Sequence, residues 1–407
     1  MPCSGTTGRR KGVPASQAQL DAMCHSLIQA WAYAPSDRML HVLPLNHVHG
    51  LVNALFAPLL SGATVEFMPF DPSAVWQRVL AGHTGQAPPL SLFTGVPTMY
   101  ARLVSVLEDL RAGHGGTDQL RSADAVRAAC ASQFRVMMSG SAPLPARLAT
   151  RWQAATGHTL LERYGMTEIG MALSNPLAPV DARAIGEVGV ALPGVTWRIA
   201  PPTDPHHVLA DGRGPALSTA PAAATSTAAA HHIHGGAAAP VDGELLVGGP
   251  TVFDGYRGNP QATAESFVVC AATGDRFFRT GDHVQLTPRG TLAILGRLSV
   301  DILKSKGYKL SALQIERAIL DDTRIADVAV VGMPGEVDDV VTAIVVLAKA
   351  PASTEPLTLA SLRHGVAHAL PTYALPQALI TVAAMPRNAM GKVNKKELIQ
   401  RFQQNHK

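Results

Sequence analysis

Cysteine is scarce in this sequence, and the few thiols are not arranged for metal binding or pairing. The 407 residues contain four cysteines, at Cys3, Cys24, Cys130 and Cys270. No two of them have the close spacing of a zinc knuckle or a Cys-x-x-Cys redox pair. The sequence therefore predicts no disulfide framework and is typical of a protein that works in a reducing compartment.

Long apolar runs and a strong charge of one sign are also missing. Crossing a bilayer takes about 20 consecutive apolar residues, whereas candidates such as 340–348 have the length of a strand. The net charge is only +4 and the basic residues are dispersed, so we expect anionic small molecules as ligands rather than nucleic acid. Hydrophobic residues make up 47% of the chain, which suits a folded enzyme of two or three compact units.

The first half of the chain alternates between short β-rich runs and helical patterns. Strands are predicted at 39–43, 63–67, 90–93 and 134–138. After the third strand, Pro97 suits a first helical turn. Strand–helix alternation predicts an α/β fold in which helices cover a sheet on both faces.

Two changes of pattern divide the rest of the chain. Short strands with turn signals at 186–295 predict a β-rich subdomain, in which the Ala-, Thr- and His-rich stretch 201–240 suggests a flexible insertion. Three histidines in that stretch could bind a metal, but a solvated loop is the favoured interpretation; they are His231, His232 and His234. After a boundary near Leu298, a helix capped by Ser311 and further strands predict a small α+β domain. We therefore expect domains at 1–297 and 298–407.

Residues 4–12 contain three glycines among hydroxyl and basic side chains. Glycine lets the backbone bend so that several N–H groups point at one anion, and Lys11 adds a positive charge. This composition predicts a phosphate-binding loop, although the Walker spacing is absent. The residues predicted to contact phosphate are Ser4, Gly5, Thr6, Thr7, Gly8 and Lys11.

The loop is the first of several motifs that follow one another along the chain. The others lie at 139–143, 162–168, 279–282, 296–297 and 386–392. Together these strings resemble the adenylate-forming family of ATP-dependent acyl-CoA synthetases over residues 3–400. The resemblance implies a large nucleotide-binding domain, a small mobile C-terminal domain, and ATP, Mg²⁺ and CoA as ligands.

The resemblance also implies a role for each motif in the large domain. It assigns Gly140, Ser141 and Tyr164 to ATP binding, with the turn at Gly140 meeting the adenine. It further implies that Thr167 contacts the α-phosphate and that Glu168 holds Mg²⁺. A carboxylate suits that role because Mg²⁺ prefers oxygen ligands.

The remaining motifs are implied to act on the ribose, the reacting groups and CoA. Asp282 and Arg297 would contact the ribose, and Lys392 would stabilise charge while the acid attacks the α-phosphate. The small domain would then rotate about a hinge and complete the tunnel for CoA. The tunnel residues implied by the resemblance are Lys304, Lys306 and Gly307.

Local strings also point to the acid that is activated. Those at 43–50, 95–102, 165–168 and 299–304 resemble the family members that activate malonate, and 160–173 especially resembles the mitochondrial ones. The resemblance implies malonate or methylmalonate as the acid and a location in the mitochondrial matrix. A second carboxylate needs a cation in its pocket because an unpaired buried charge is costly. Arg102 is the candidate, since arginine can bind a carboxylate through two hydrogen bonds. The further substrate contacts implied are His49, Ser141 and Met166.

Other interpretations remain open. The chain could activate another short-chain or aromatic acid, and replacing Arg102 would then leave its preference unchanged. It could also bind nucleotide without turnover, because a large part of the family's N-terminal domain precedes the phosphate loop and we expect that part to be missing here. An adenylation domain of a peptide synthetase is less favoured, since no Asp suited to recognising an amino acid stands near His49.

Overall fold

The computed structural model describes residues 11–113, 122–218, 230–234, 240–305, 307–335, 338–348, 355–387 and 393–403. Seven residues singled out from the sequence lie outside these ranges, namely Ser4, Gly5, Thr6, Thr7, Gly8, Lys306 and Lys392. The chain divides into two compact units. The first comprises Met1–Leu144, Leu148–Thr280 and Leu286–Ala293, and the second comprises Pro145–Arg147, Gly281–Gln285 and Ile294–Lys407.

A seven-stranded sheet forms the base of the first unit. Its strands are β1 (Arg38–His41), β2 (Thr64–Phe67), β3 (Leu92–Gly95), β4 (Val136–Ser139), β5 (Leu161–Met166), β6 (Gly170–Ser174) and β7 (Val190–Ala191). In space they run β2-β1-β3-β4-β5-β6-β7, parallel as far as β5 and antiparallel after it. The predicted α/β fold is confirmed, and the strands expected in the first half of the sequence are β1 to β4.

Helices accompany this sheet and contribute its aromatic core. They are α1 (Gln17–Trp31), a π-helix (His49–Phe56), α2 (Ala57–Leu60), α3 (Pro72–His83), α4 (Pro97–Arg111), α5 (Ala123–Gln133) and α6 (Ala146–Thr156). Tyr100 of α4 meets Trp152 of α6 edge to face at 4.6 Å between ring centroids, and Trp76 of α3 stacks on Trp152 at 5.8 Å. Helix α4 begins at Pro97, as the sequence predicts. None of the described helices has both the length and the apolar character needed to pass through a membrane.

A second sheet follows along the chain. Its elements are β8 (Thr196–Ala200), β9 (Ala210–Arg213), β10 (Ala230–Ile233), β11 (Val241–Gly248), α7 (Pro260–Glu265), β12 (Phe267–Val269), β13 (Arg276–Leu286) and β14 (Leu292–Arg297). The order along the sheet is β10-β9-β8-β11-β13-β12. This is the β-rich region that the sequence predicts.

The described residues of the segment 201–240, predicted to be a flexible insertion, include strands β9 and β10. Ala210 is fully buried and pairs with Ile199 of β8. The neighbouring strand β8 supplies hydrogen bonds to β9 and buries its side chains. The Ala-, Thr- and His-rich sequence of the segment does not itself favour strands, so they could not be predicted from its composition. His234 Nε2 lies 3.2 Å from Asp211 Oδ2 across β9 and β10. In the part of the chain that the structure describes, no three metal-binding side chains cluster here or elsewhere.

In its described residues, the second unit contains a hairpin, a three-stranded sheet and three α-helices. Its elements are β15 (Ile302–Ser305), β16 (Tyr308–Ser311), α8 (Ala312–Ile319), β17 (Ile325–Pro334), β18 (Asp339–Leu347), α9 (Leu359–Val366), β19 (Ala378–Thr381) and α10 (Lys395–Gln403). Strands β15 and β16 form the hairpin, and the sheet order is β17-β18-β19. Ser311 Oγ accepts a hydrogen bond from Gln314 N–H at 3.1 Å, which confirms the predicted helix cap.

A buried ion cluster ties α10 to the body of the second unit. Lys395 Nζ lies 2.5 Å from Asp301 Oδ1 and 2.6 Å from Glu316 Oε1. Burial alone would lower the pKa of Lys395, but the charges of Glu316 and Asp301 raise it above its ordinary value. Asp301 also accepts a hydrogen bond from Arg297 N–H at 2.9 Å. The Asp301 carboxylate therefore contacts both the end of β14 and helix α10.

We expect Lys395→Met to lower the free energy of unfolding by about 3–5 kcal/mol, because two carboxylates would stay buried without their cation. Urea denaturation followed by circular dichroism measures the change. Lys396→Met is the matched control on the same helix, because Lys396 is exposed and its loss should cost less than about 0.5 kcal/mol. Equal losses in the two variants would contradict a stabilising role for the cluster.

Candidate functional site

The turn between β5 and β6 carries the carboxylate predicted to hold Mg²⁺. Thr167 and Glu168 lie in this turn, and Glu168 is buried. Glu168 Oε1 accepts a hydrogen bond from the Tyr256 hydroxyl at 3.1 Å, and its backbone oxygen accepts one from Phe253 N–H at 2.8 Å. The carboxylate is thus fixed through both its side chain and its backbone, as a cation ligand needs to be.

Lys11 reaches the same tyrosine. Its Nζ lies 4.4 Å from the centroid of the Tyr256 ring, a distance at which an ammonium is attracted to the aromatic face. The adjoining Gly12 accepts a hydrogen bond from Arg257 N–H at 2.9 Å, which anchors this part of the chain beside Tyr256. The structure therefore brings together Lys11 and Glu168, the residues predicted to bind phosphate and Mg²⁺.

A second polar group forms where the π-helix begins. His49 is its first residue and is buried; its Nε2 lies 2.6 Å from Thr94 Oγ1 and its Nδ1 lies 3.2 Å from Ser141 Oγ. Thr94 belongs to β3 and Ser141 follows β4, so the ends of two neighbouring parallel strands meet at this histidine. π-helices occur mostly as short segments and frequently at functional sites.

The imidazole of His49 is neutral. Burial lowers the pKa of His49 well below its usual value, and the positive charge of Arg163 lowers it further. In a neutral imidazole one ring nitrogen donates and the other accepts. His49 can therefore connect the Thr94 and Ser141 hydroxyls without adding a charge.

The turn after β4 is strained and has no space for a side chain at its first residue. Ser141 adopts φ +66°, a left-handed conformation that residues other than glycine rarely take. A Cβ on Gly140 would stand 2.2 Å from Nη1 of Arg163, so a side chain there would require the buried guanidinium to shift. The predicted residues Gly140 and Ser141 thus lie between His49 and Arg163.

Arg102 lies apart from this buried group. It is exposed on α4, and its guanidinium carbon lies 5.1 Å from the centroid of the Phe70 ring. The aromatic face gives the side chain a preferred direction. Tyr164 and Met166, the other predicted ligand contacts on β5, are half-buried.

In the second unit, the two residues predicted to contact ribose pair with each other. Arg297 Nε lies 2.9 Å from the buried Asp282 Oδ1. The pair keeps the Asp282 carboxylate charged and oriented, which suits an acceptor for hydroxyl groups. Of the predicted tunnel residues, Lys304 is exposed on β15 and Gly307 occupies the turn before β16 with φ +78°.

Comparison with known proteins identifies the family. A family model described as AMP-binding enzyme matches residues 1–214, and one described as AMP-binding enzyme C-terminal domain matches residues 314–392. The chain belongs to the AMP-binding enzyme family. The family resemblance inferred from the motifs is therefore confirmed.

Individual relatives agree with this assignment. The chain is 42% identical over 405 residues to the mitochondrial malonate–CoA ligase ACSF3 of Mus musculus, covering 98% of this chain and 63% of that enzyme. ATP-bound MatB from Rhodopseudomonas palustris has a similar fold, with a TM-score of 0.77, 31% identity and coverage of 100% of this chain and 68% of MatB. A malonyl-CoA ligase ternary product complex with methylmalonyl-CoA and AMP gives a TM-score of 0.55 and 32% identity over 95% of this chain and 71% of that one. The chain thus spans less than two thirds of the length of the mouse relative.

Three residues of these polar groups were not singled out from the sequence. Arg163 lies inside the string 162–168, and Thr94 directly precedes the string 95–102. Their positions in or next to these motifs could have indicated that both residues belong to the site. Tyr256 belongs to no motif, and only its contacts with Glu168 and Lys11 identify it.

We expect the free energy of unfolding of His49→Gln to fall less than that of the wild type when the pH is lowered from about 7 to about 5. Below about pH 6.5 the unfolded wild-type chain takes up a proton at His49, whereas the folded chain does not because the pKa of His49 is lowered there. The free energy of unfolding therefore falls with pH, by up to about 1.4 kcal/mol per pH unit from this residue. Urea unfolding at about pH 7, 6 and 5 measures the slope.

His83→Gln is the control for this experiment, because His83 is exposed at the end of α3. In this variant the free energy of unfolding should depend on pH as it does in the wild type. Identical slopes in the wild type and His49→Gln would exclude a neutral buried His49.

Proposed function

We propose that this chain carries the acid-activating machinery of an ATP-dependent malonate–CoA ligase. Malonate or methylmalonate, ATP and CoA would be converted to the CoA thioester, AMP and pyrophosphate. The observation that carries the proposal is the meeting of Lys11 and Glu168 at Tyr256, with His49 and Ser141 hydrogen-bonded at the ends of adjacent strands. The names of the mouse relative and of the malonyl-CoA ligase complex support malonate as the acid.

In the first step, a carboxylate oxygen of malonate attacks the α-phosphorus of ATP. A P–O bond forms to give malonyl-AMP, and the bond to pyrophosphate breaks. Lys11 and the loop 4–8 would hold the phosphates, while Thr167 would contact the α-phosphate. Lys392 would stabilise the negative charge that develops in the transition state.

The chemistry of Glu168 fits the Mg²⁺ implied by the family. Mg²⁺ is usually bound through one or two carboxylates together with substrate phosphates, and Glu168 is a buried carboxylate fixed by the Tyr256 hydroxyl. The bound ion would neutralise phosphate charge. Glu168 would hold it, and Tyr256 would keep the carboxylate in place.

The nucleoside contacts are proposed from three of the motifs. The turn at Gly140 and Ser141 and the half-buried Tyr164 would contact the adenine. Asp282 would accept hydrogen bonds from the ribose hydroxyls, and Arg297 would orient that carboxylate. We propose domains at 1–297 and 298–407, and the second unit is the smaller of the two.

The acid would lie beside the buried histidine. His49 and Ser141 offer hydrogen bonds, Met166 would line the pocket, and Arg102 would attract the second carboxylate. In the second step the thiol sulfur of CoA attacks the malonyl carbonyl carbon and a C–S bond forms. The bond between that carbon and the phosphate oxygen breaks, AMP leaves, and the thiol proton is released to solvent. The tunnel for the thiol would be bordered by Lys304, Lys306 and Gly307. The name of the mouse relative supports a mitochondrial location, and the compartment proposed is the matrix.

Pyrophosphate release tests the proposed function. The purified chain with ATP and Mg²⁺ should release pyrophosphate on addition of malonate, with at least about tenfold preference over acetate and octanoate. Lys392→Ala should reduce the rate by at least about 100-fold, because it removes a charge that acts in the transition state. If the folded chain releases no pyrophosphate with any acid, the proposed activity is refuted and the chain can at most bind nucleotide.

Arg102→Ala should raise KM for malonate about tenfold or more and leave the rate with acetate nearly unchanged, because only malonate has a second carboxylate to attract. Steady-state pyrophosphate release measures both values. Arg111→Ala is the control, since Arg111 is also a partly exposed arginine of α4. An unchanged KM in Arg102→Ala would favour the alternative that Arg102 is a surface residue.

A further inference from the structure

The chain on either side of Lys392 is fixed within the second unit. Lys392 itself lies outside the described residues, but it is covalently bonded to Val393, which forms an isolated antiparallel bridge with Arg387. Consecutive Cα atoms are about 3.8 Å apart, so the position of Val393 limits where Lys392 can lie. The contacts that hold this end of the chain therefore also restrict the lysine proposed to stabilise the transition state.

The ion pair of Arg387, on one side of Lys392, is partly exposed. Arg387 Nη2 lies 2.6 Å from Asp327 Oδ2 of β17, and the two side chains are 32% and 28% exposed. Ion pairs that water reaches contribute little to stability, since solvent screens the charges. Arg387 is therefore the weaker anchor of this part of the chain.

The stronger anchor lies on the other side of Lys392. Lys395 is buried and is the first residue of α10, two residues after Val393. Its Nζ lies 2.5 Å from Asp301 Oδ1 and 2.6 Å from Glu316 Oε1. Glu316 Oε1 also accepts a hydrogen bond from Val330 N–H at 2.7 Å, which links the cluster to β17. Moving Lys395 would leave buried charges uncompensated, so the start of α10 has one strongly preferred position.

The same aspartate fixes the end of the strand that carries Arg297. Asp301 accepts a hydrogen bond from Arg297 N–H at 2.9 Å through Oδ2, and its own N–H donates to the Arg297 backbone oxygen at 2.8 Å. The strand passes close to this side chain, since a Cβ on Gly296 would stand 2.4 Å from Asp301 Cβ. One carboxylate thus connects the proposed ribose contact, Arg297, with the helix that begins just after Lys392.

We propose that Lys395 is a positioning residue for the first step: by binding Asp301, it holds Lys392 in a fixed place relative to Arg297. The inference rests on the proposed function, which gives Lys392 and Arg297 their roles. Charge stabilisation of a transition state depends on a group that is already in place, and an error of about 1 Å is costly. A buried ammonium held by two carboxylates supplies that rigidity.

A role in stability alone would have a different signature. Lys392 is proposed to act while malonate attacks ATP, whereas the attack of CoA on malonyl-AMP does not use it. Loss of a positioning residue should therefore slow the first step selectively. Partial unfolding would instead lower the rates of both steps by the same factor, because it reduces the amount of active protein.

The test measures the two steps separately in the full chain. The first is followed as malonate-dependent pyrophosphate release without CoA, and the second as thioester formation from supplied malonyl-AMP and CoA. Lys395→Met should lower the rate of the first step at least about tenfold, with KM for ATP and malonate within about twofold of the wild type, because Lys392 acts in the transition state. The rate of the second step should stay within about twofold.

Two further variants separate the charge of Lys395 from the mere presence of a long side chain. Lys395→Arg should keep the first step within about threefold of the wild type, because a guanidinium can bind both carboxylates. Lys396→Met is the matched control, since Lys396 is the next residue of α10 and is exposed. It should leave both steps at the wild-type rate.

Asp301→Asn provides the same test in a chain that keeps one counter-charge for Lys395, namely Glu316. It should also slow the first step by at least about fivefold and change the second by less than about twofold. Circular dichroism confirms that each variant is folded at the assay temperature. If Lys395→Met does not fold, Asp301→Asn decides the question.

Equal losses in the two steps, or an unchanged first step in folded Lys395→Met and Asp301→Asn, would overturn the positioning role while the wild type remains active. A slow first step in Lys395→Arg equal to that in Lys395→Met would overturn it as well. If the wild type releases no pyrophosphate with any acid, the proposed function is refuted and the positioning role falls with it. The two failures are distinguished by the activity of the wild type.

Discussion

The parallel register of β4 and β5 is the constraint on which the candidate site depends. Met138 pairs with Leu161 and Ser139 with Glu162, so the turn that follows β4 must lie beside Arg163. Parallel strands end at the same edge of a sheet, where ligands of open α/β folds bind. This register places Gly140 and Ser141 next to the strand that leads into Glu168.

Buried charged side chains differ in whether an oppositely charged partner lies beside them. In the first unit, Arg135 and Asp37 satisfy one another, and Asp37 accepts a further hydrogen bond from Ser91. In the second unit, Lys395 is shared by two carboxylates. Within the described residues, the charged groups of these clusters face opposite charges, and removing one partner would leave a buried charge uncompensated. The guanidinium of Arg163 has no hydrogen-bond partner among the described residues.

The sequence predicts the strand–helix alternation and the family well, because periodicity and motif order are local signals. Pro97 at the start of α4 and the cap at Ser311 follow from backbone chemistry that needs no tertiary information. Strands β9 and β10 could not be predicted, since the partner strand rather than their own composition holds them. The contact of Tyr256 with Glu168 joins residues distant in sequence, and only the fold brings them together. The roles assigned to the motif residues remain predictions.

The missing side chain at Gly140 links two positions that are distant in sequence. The guanidinium of Arg163 occupies the volume that a Cβ at 140 would take, so a side chain at 140 requires the side chain at 163 to shift or to be shorter. Redesign of the pocket for a different acid should therefore treat 140 and 163 as one unit: a larger residue at 140 requires a shorter one at 163, and the volume near His49 is then redistributed rather than enlarged. Substitutions at 140 would therefore be expected together with a shorter residue at 163, whereas 163 can be shortened alone.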